Sequence, residues 1–436
     1  MKNLILFIST LFLKVKSSEF NRNVAKVFSG TLLAQIIAIG ISPILTRIYT
    51  PEDFSNLALY LSVVSILTVI ATLKYDKAII LPKDDKSALA LVVLSTFFTL
   101  LVGAIFFLLY FFSEDYIIRV FKVEGIETWL IFVPITILAR ALYTILNTWF
   151  NRKKEYIVLS KNRVFTSSTN GGLKILFQIV GKLGAFGLVL SEAISQAASL
   201  CLFGYKFFKE NDLAIKQLTK RDIINSAKKY KSFPIYSLPA DFLSIFSREL
   251  PILMFSGYFG AGVVGFYMLT KRTLDVPFTL LSTSFLEVFK QQATEDYHKF
   301  GNCKAIFIST LKKLVLISIV PFLGLYFIAP PLFSFVFGEE WLIAGEYAQI
   351  LIVMYFFKFT CSPLSYVFYV TDYLKFDLVL NILIIVVIYS ALYFSYILFD
   401  NAKASIICFS LSYSFIYVIT LLVSYRLSLG NNINQR

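Results

Sequence analysis

Runs of about 20 predominantly apolar residues recur along the whole chain, and this feature decides what the chain can fold into. A helix of that length crosses the ~30 Å hydrocarbon core of a bilayer. The runs are continuous and do not alternate at every second residue, so they indicate helices and not the strands of an outer-membrane barrel. With 57% hydrophobic and 16% charged residues, the sequence predicts an all-α polytopic membrane protein.

The apolar runs divide into twelve predicted transmembrane helices, some of which hydropathy alone underrates because they contain charged residues. Their predicted boundaries are 25–49, 54–73, 88–112, 126–150, 157–181, 185–208, 234–258, 262–289, 305–330, 346–370, 374–399 and 402–426. A long basic loop separates the sixth helix from the seventh. We therefore expect an interfacial segment at 1–23, an N-lobe of helices 1–6 at 24–208, a basic cytoplasmic linker at 209–231 and a C-lobe of helices 7–12 at 232–430.

Lysine and arginine residues are concentrated in alternate loops, all on one side of the membrane. The net charge of +14 is therefore explained by membrane topology, without nucleic acid as a partner. The positive-inside rule predicts a multi-pass membrane protein with both termini in the cytoplasm. The opposite loops are short, which disfavours an enzyme such as a membrane polymerase or glycosyl ligase. Four widely separated cysteines and the single His298 support neither a disulfide framework nor a metal site, and no cofactor is expected.

The two predicted lobes share a weak internal repeat. Pro-Ile-Leu occurs at 43–45 and again at 251–253, and each copy is followed by a turn and a tyrosine that opens the next helix, Tyr60 or Tyr267. Both copies have the same orientation in the membrane, so the repeat is parallel. Pro43 and Pro251 remove a backbone donor, and we expect both to bend their helices.

Polar side chains recur at helical spacing on one face of several predicted helices. The intramembrane cations on these faces are Arg140, Lys174, Arg248, Lys271 and Arg272, and the polar residues predicted to line the same cavity are Gln35, Asn147, Asn170, Gln178 and Gln196. A cavity with excess positive charge suits an anionic ligand such as a phosphate. The alternative is that the polar groups form hydrogen bonds between helices.

Three carboxylates lie on the same helices, at Asp241, Glu249 and Asp275. Intramembrane carboxylates often bind Na⁺ or H⁺, and these three are candidates for ion coupling. The alternative is that they neutralise the neighbouring cations. Arg248 and Glu249 point about 100° apart around their helix, so they need not be partners.

Several segments resemble the bacterial polysaccharide flippases, the Wzx-like members of the multidrug/oligosaccharidyl-lipid/polysaccharide exporter superfamily. The resemblance is clearest over residues 29–85 and extends over most of the chain. It is carried by the "SG" that opens the first helix and by four further segments, "PILTRIYTPEDF" (43–54), "YDKAIILP" (75–82), "WFNRKKEY" (149–156) and "FGAGVVGFY" (259–267).

The resemblance implies a MATE-like, V-shaped carrier of two pseudo-symmetric lobes in the bacterial inner membrane. Its expected substrate is an undecaprenyl-diphosphate-linked glycan for O-antigen, lipopolysaccharide or capsule. The diphosphate would meet the cations, the lipid tail would stay in the bilayer, and other polysaccharide-assembly proteins are possible partners. The alternative is a drug or cation antiporter of the same superfamily, which would need a net acidic or aromatic cavity.

Overall fold

A computed structural model of the chain describes residues 19–121, 129, 131–371 and 373–430, and strands are absent from these residues. The helices are α1 Glu19–Ile48, α2 Pro51–Ala71, α3 Tyr75–Ala78, α4 Asp85–Phe121, α5 Phe132–Arg152, α6 Tyr156–Gly181, α7 Gly184–Lys216, α8 Lys220–Lys229, α9 Leu238–Phe259, α10 Ala261–Phe300, α11 Lys304–Phe337, α12 Leu342–Cys361, α13 Val367–Val370, α14 Leu374–Phe399 and α15 Ala402–Ser428. Each of the twelve predicted membrane helices therefore corresponds to a long helix. The predicted all-α fold class is confirmed.

Nine helices in the described part of the chain are long and apolar enough to cross a membrane, judged by length and composition. The three long helices that miss this criterion are α6, α9 and α10, which carry Lys174, Arg248 and Lys271 among their charges. Their intramembrane charge, and not their length, lowers their hydropathy. Residues 1–18 of the predicted interfacial segment lie outside the described residues, and 19–23 belong to α1.

The predicted boundary of the tenth membrane helix, 346–370, is wrong at its C-terminal end. The helix α12 ends at Cys361, and a 3₁₀ turn (Leu364–Tyr366) leads into the single turn of α13. Pro363 contributes to the interruption, because proline has no backbone N–H to donate to the preceding helical turn. Within the predicted linker, α7 continues to Lys216 and α8 follows as a separate amphipathic helix.

The chain forms two compact units. The first contains the chain up to Ile48 together with Val63–Phe242. In it, α1 packs closely along α6, where a Cβ at Gly30 would lie 2.3 Å from the Cβ of Ser160. An aromatic core joins Trp149 and Phe207 to Tyr75 of α3 and to Tyr230, which follows α8.

The second unit contains Tyr49–Ser62 and the chain from Leu243 onward. Here the first turns of α2 pack directly on α10. The ring of Phe54 meets that of Trp341 edge to face at 5.1 Å, and a Cβ at Gly265 would lie only 1.9 Å from the carbonyl oxygen of Pro51. Two of the segments that carry the family resemblance, 43–54 and 259–267, therefore contribute to one contact. The predicted division into two six-helix lobes and a linker stays a prediction.

The N-terminus of α8 is closed by a capping box. The hydroxyl of Thr219 accepts from the backbone N–H of Asp222, and the Asp222 carboxylate accepts from the backbone N–H of Thr219. That backbone hydrogen bond, with the hydrogen bond from Lys86, lowers the pKa of Asp222 to about 2. A depressed carboxyl pKa adds stability above the unfolded value of about 3.9, and this stability is lost as the pH falls towards 2.

We therefore expect α8 to be insensitive to pH between 5 and 8 and to loosen below about pH 4. The Thr219→Ala variant should lose about 1 kcal/mol of local helix stability at neutral pH. Hydrogen–deuterium exchange over 220–229, corrected for intrinsic rates, measures both effects. Equal protection in Thr219→Ala and in the unchanged protein would contradict the role of the cap.

Candidate functional site

A buried cluster of charged residues surrounds Glu192 of α7, which is 8% exposed. The side chain of Asn170 donates to Glu192 Oε2 at 2.7 Å and to the hydroxyl of Ser195 at 3.0 Å. Two cations approach the same carboxylate, Arg140 Nη2 at 3.7 Å from Oε1 and Lys174 Nζ at 4.0 Å from Oε2. Three residues predicted to share a polar cavity, on α5 and α6, thus meet around one acid.

The two cations of this cluster differ in their access to solvent. The Lys174 side chain is 5% exposed, whereas that of Arg140 is 28% exposed. Both ion-pair distances are longer than the 2.7–2.9 Å typical of a charge-assisted hydrogen bond. Because two cations share one carboxylate at long range, the cluster carries excess positive charge.

Asp241, near the start of α9, is held by Lys74 of the turn between α2 and α3 and by Lys77 of α3. Its Oδ2 lies 3.1 Å from Lys74 Nζ and 2.7 Å from Lys77 Nζ. The turn is strained, since Leu73 and Lys74 both have positive φ, at 47° and 61°. The hydroxyl of Thr72 supports it by accepting from the backbone N–H of Lys74 and donating to Asp76. The carboxylate of Asp241 is therefore neutralised by cations.

Asp275 of α10 is also paired with a cation. Its Oδ1 accepts from Lys358 Nζ at 3.0 Å and from the Tyr355 hydroxyl at 2.8 Å. Lys358 lies over the rings of Phe278 and Tyr355, 4.5 and 4.8 Å from their centroids. This cation–π contact and the ion pair fix Lys358 between α10 and α12.

Glu249 has a different environment. Its Oε2 accepts from the hydroxyl of Ser62 at 2.8 Å, and within the described ranges it has no ion pair. Its neighbour Arg248 is exposed, and its guanidinium makes no hydrogen bond or ion pair to any described residue. Lys271 donates to the backbone carbonyl of Arg248 at 3.4 Å, and Arg272 lies beside it on α10, half-buried.

The predicted polar lining residues take three different roles. Gln196 hydrogen-bonds to Glu192 and so joins the buried cluster. Gln178 donates to the Ile48 carbonyl at 2.8 Å and accepts from the Gly184 backbone at 3.0 Å, so it ties the end of α6 to α1 and α7. Gln35 Oε1 and Asn147 Oδ1 are buried acceptors without a hydrogen-bond partner among the described residues.

Residues 44–346, more than half of the chain, match the family described as polysaccharide biosynthesis protein. The chain belongs to this family. No curated protein matches it in sequence. The match includes the helices that carry the Glu192 cluster, the Asp241 contacts and Asp275, whereas Lys358 lies beyond it.

The chain also has the fold of transporters in the multidrug/oligosaccharidyl-lipid/polysaccharide exporter (MOP) superfamily. An inward-facing MATE-family multidrug resistance transporter of that superfamily superposes with a TM-score of 0.69 and 15% identity, over 92% of this chain and 96% of the other. The lipid II flippase MurJ, in an inward closed conformation, superposes with a TM-score of 0.71 and 14% identity, over 92% and 90%. The predicted membership of a polysaccharide biosynthesis family and the predicted MATE-like fold are thereby confirmed.

In this member of the polysaccharide biosynthesis family, the sequence did not identify several residues that pair with the three candidate carboxylates. Lys358 was not among the candidates, although it is a charge in an otherwise apolar helix and could have been found by the same criterion. Lys74 and Lys77 were assigned to the topology signal alone. Ser62 gave no signal, because a single hydroxyl in an apolar helix is common.

Proposed function

We propose that this protein translocates undecaprenyl-diphosphate-linked oligosaccharides across the bacterial inner membrane during surface polysaccharide assembly, such as that of O-antigen. The observation that carries the proposal is the Glu192 cluster, in which Arg140 and Lys174 share one buried carboxylate. Membership of the polysaccharide biosynthesis family supports the substrate class. The fold shared with a lipid II flippase supports a transport mechanism.

The chemistry of the cluster suits a diphosphate. Guanidinium and ammonium groups bind phosphate oxygens, and attraction between charges increases where water is excluded. Arg140 is the more exposed cation and would meet the anion first. Lys174 would strengthen the local positive potential from behind it. Because Asn170 and Gln196 already hydrogen-bond to Glu192, the carboxylate keeps partners when the cations turn towards the substrate.

Alternating access requires that substrate release be coupled to a conformational change. We propose that binding of an ion couples the two, and we assign this ion binding to Glu249. Asp241 and Asp275 are each paired with lysine, which favours a neutralising role for both. Glu249 is bound only to the hydroxyl of Ser62 in the described part of the chain. A carboxylate without a cation partner can take up H⁺ or Na⁺.

Cells that lack the protein provide the first test. We expect them to accumulate lipid-linked repeat units in the cytoplasmic leaflet and to lose the surface polymer. The unchanged gene should restore the polymer, and an Arg140→Ala variant should restore about a tenth or less, because a hydrogen bond to a charged group contributes about 1.5–3 kcal/mol.

The matched control for that variant is Lys216→Ala, which removes an exposed cation that is paired with Asp212 on the same helix. It should restore the polymer fully at equal protein abundance. Normal surface polymer in the deleted cells, together with loss of drug efflux, would overturn the proposal and favour the antiporter.

A further inference from the structure

A second basic site lies at one end of the first unit, where the loop after α3 meets the turn between α5 and α6. A cavity of about 420 Å³ opens there, lined by Ile80, Pro82, Lys83, Asp85, Asn151, Arg152, Lys153, Lys154 and Tyr156. Its volume falls in the range of small-molecule sites. Two segments that carry the family resemblance, 75–82 and 149–156, build it, and the proposed transport does not use it.

Arg152 forms the floor of this cavity and holds its two walls together. Its guanidinium donates to the backbone carbonyls of the loop at Ile79, Ile80, Pro82 and Lys83. It also donates to Asp85 Oδ1, and Lys153 pairs with the other oxygen of that carboxylate. With its side chain 11% exposed, Arg152 serves as a rigid structural clamp.

The remaining cations at the cavity are free to bind. The exposed ammonium groups of Lys83 and Lys154 have no hydrogen bond or ion pair to any residue in the described ranges. Lys154 has a φ of 59°, a backbone conformation that non-glycine residues rarely adopt. The chain therefore holds a strained turn at the rim of a cavity whose charge is strongly positive, since Asp85 is its single acid.

Exposed aliphatic residues lie at the cavity or next to it in the chain. Ile80 lines the cavity, and Leu81 and Ile157 directly follow the lining residues Ile80 and Tyr156. Ile80, Leu81 and Ile157 are 48%, 57% and 49% exposed. In a membrane protein, exposed aliphatic side chains at the end of the helices contact the bilayer. A basic cavity with an aliphatic edge matches an anionic headgroup whose acyl chains remain in the membrane.

From this geometry we propose that the cavity binds the phosphate group of an anionic lipid, with Lys83 and Lys154 as its ligands and Asn151 and Tyr156 as neutral donors. The site is separate from the Glu192 cluster and does not depend on the proposed transport. Phosphate chemistry alone also fits a soluble diphosphate. The aliphatic edge favours the lipid.

Native mass spectrometry of the full-length protein in detergent tests the proposal with three probes: dioctanoyl phosphatidic acid, dioctanoyl phosphatidylcholine and inorganic pyrophosphate. We expect phosphatidic acid to bind more tightly than both of the other probes. The Lys83→Gln/Lys154→Gln variant should bind it about 30-fold more weakly, because each lysine near an anionic lipid surface adds roughly fivefold to the affinity.

The matched control is Lys220→Gln/Lys228→Gln, which removes two exposed lysines of α8 that do not line the cavity. It should leave the affinity for phosphatidic acid within about twofold. An equal loss of affinity for phosphatidic acid in both double variants, or no loss in either, would overturn the proposed site. Pyrophosphate binding that is as tight, and as dependent on Lys83 and Lys154, would overturn the assignment to a lipid.

Discussion

Replacing Glu192 with Gln should destabilise the protein more than any other charge-to-neutral change in the first unit. The substitution keeps the shape of the side chain but leaves Lys174, which is 4% exposed, without its counter-charge. Breaking a buried pair by removing one partner costs about 3–5 kcal/mol. The long distances of 3.7 and 4.0 Å to the two cations place the expected cost near the lower end, about 3 kcal/mol.

The Lys174→Met/Glu192→Gln double variant tests the reason for that cost. Removing both charges leaves no buried lysine to solvate, so most of the lost stability should return. Thermal unfolding of the protein in detergent, followed by intrinsic fluorescence, compares the unchanged protein with both single variants and the double variant. A double variant as unstable as Glu192→Gln would mean that the charges of Glu192 and Lys174 are not coupled.

The second large effect is expected at Gly265, where α10 touches the start of α2. The Gly265→Ala variant places a Cβ 1.9 Å from the carbonyl oxygen of Pro51, and this atom belongs to the backbone and cannot move as a side chain would. The two helices must separate, which also disturbs the Phe54–Trp341 contact. We expect a loss of about 3 kcal/mol or more, the upper range for overpacking, and low yield of folded protein.

Gly262 provides the matched control for this substitution, because it lies on the same helix three residues earlier. A Cβ at Gly262 would meet only Glu52 Oε1, at an ordinary distance of 3.5 Å. The Gly262→Ala variant should therefore fold and gain up to about 1 kcal/mol from helix propensity. Size-exclusion profiles and unfolding temperatures distinguish the two variants, and equal stability would contradict the close helix contact.

The helices were predictable from the sequence because continuous apolar length is a local property. Even α6, α9 and α10, which carry intramembrane charges, could be located from the apolar residues around those charges. The break after Cys361 was not recognised, because hydropathy continues through Pro363 and the change lies in backbone geometry. The contact of Gly265 with Pro51 joins residues far apart in the chain, and no periodic pattern encodes such a contact.

The candidate site could be predicted only as a set of residue types. Helical spacing placed Arg140, Asn170 and Lys174 on polar faces. It could not reveal that these residues share Glu192, because the rotation of each helix depends on its packing against the others. In the same way, Lys74, one of the two lysine partners of Asp241, lies in a strained turn that composition does not indicate. The pairing of charges therefore had to come from the structure.

Movement of an undecaprenyl-diphosphate-linked oligosaccharide across the membrane of proteoliposomes tests the central claim most directly. The account predicts that the unchanged protein moves the glycolipid to the opposite leaflet. It also predicts that the Arg140→Ala variant, which lacks the more exposed cation of the cluster, does so about tenfold or more slowly at equal protein abundance. No movement by the unchanged protein, or equal rates in both proteins, would contradict it.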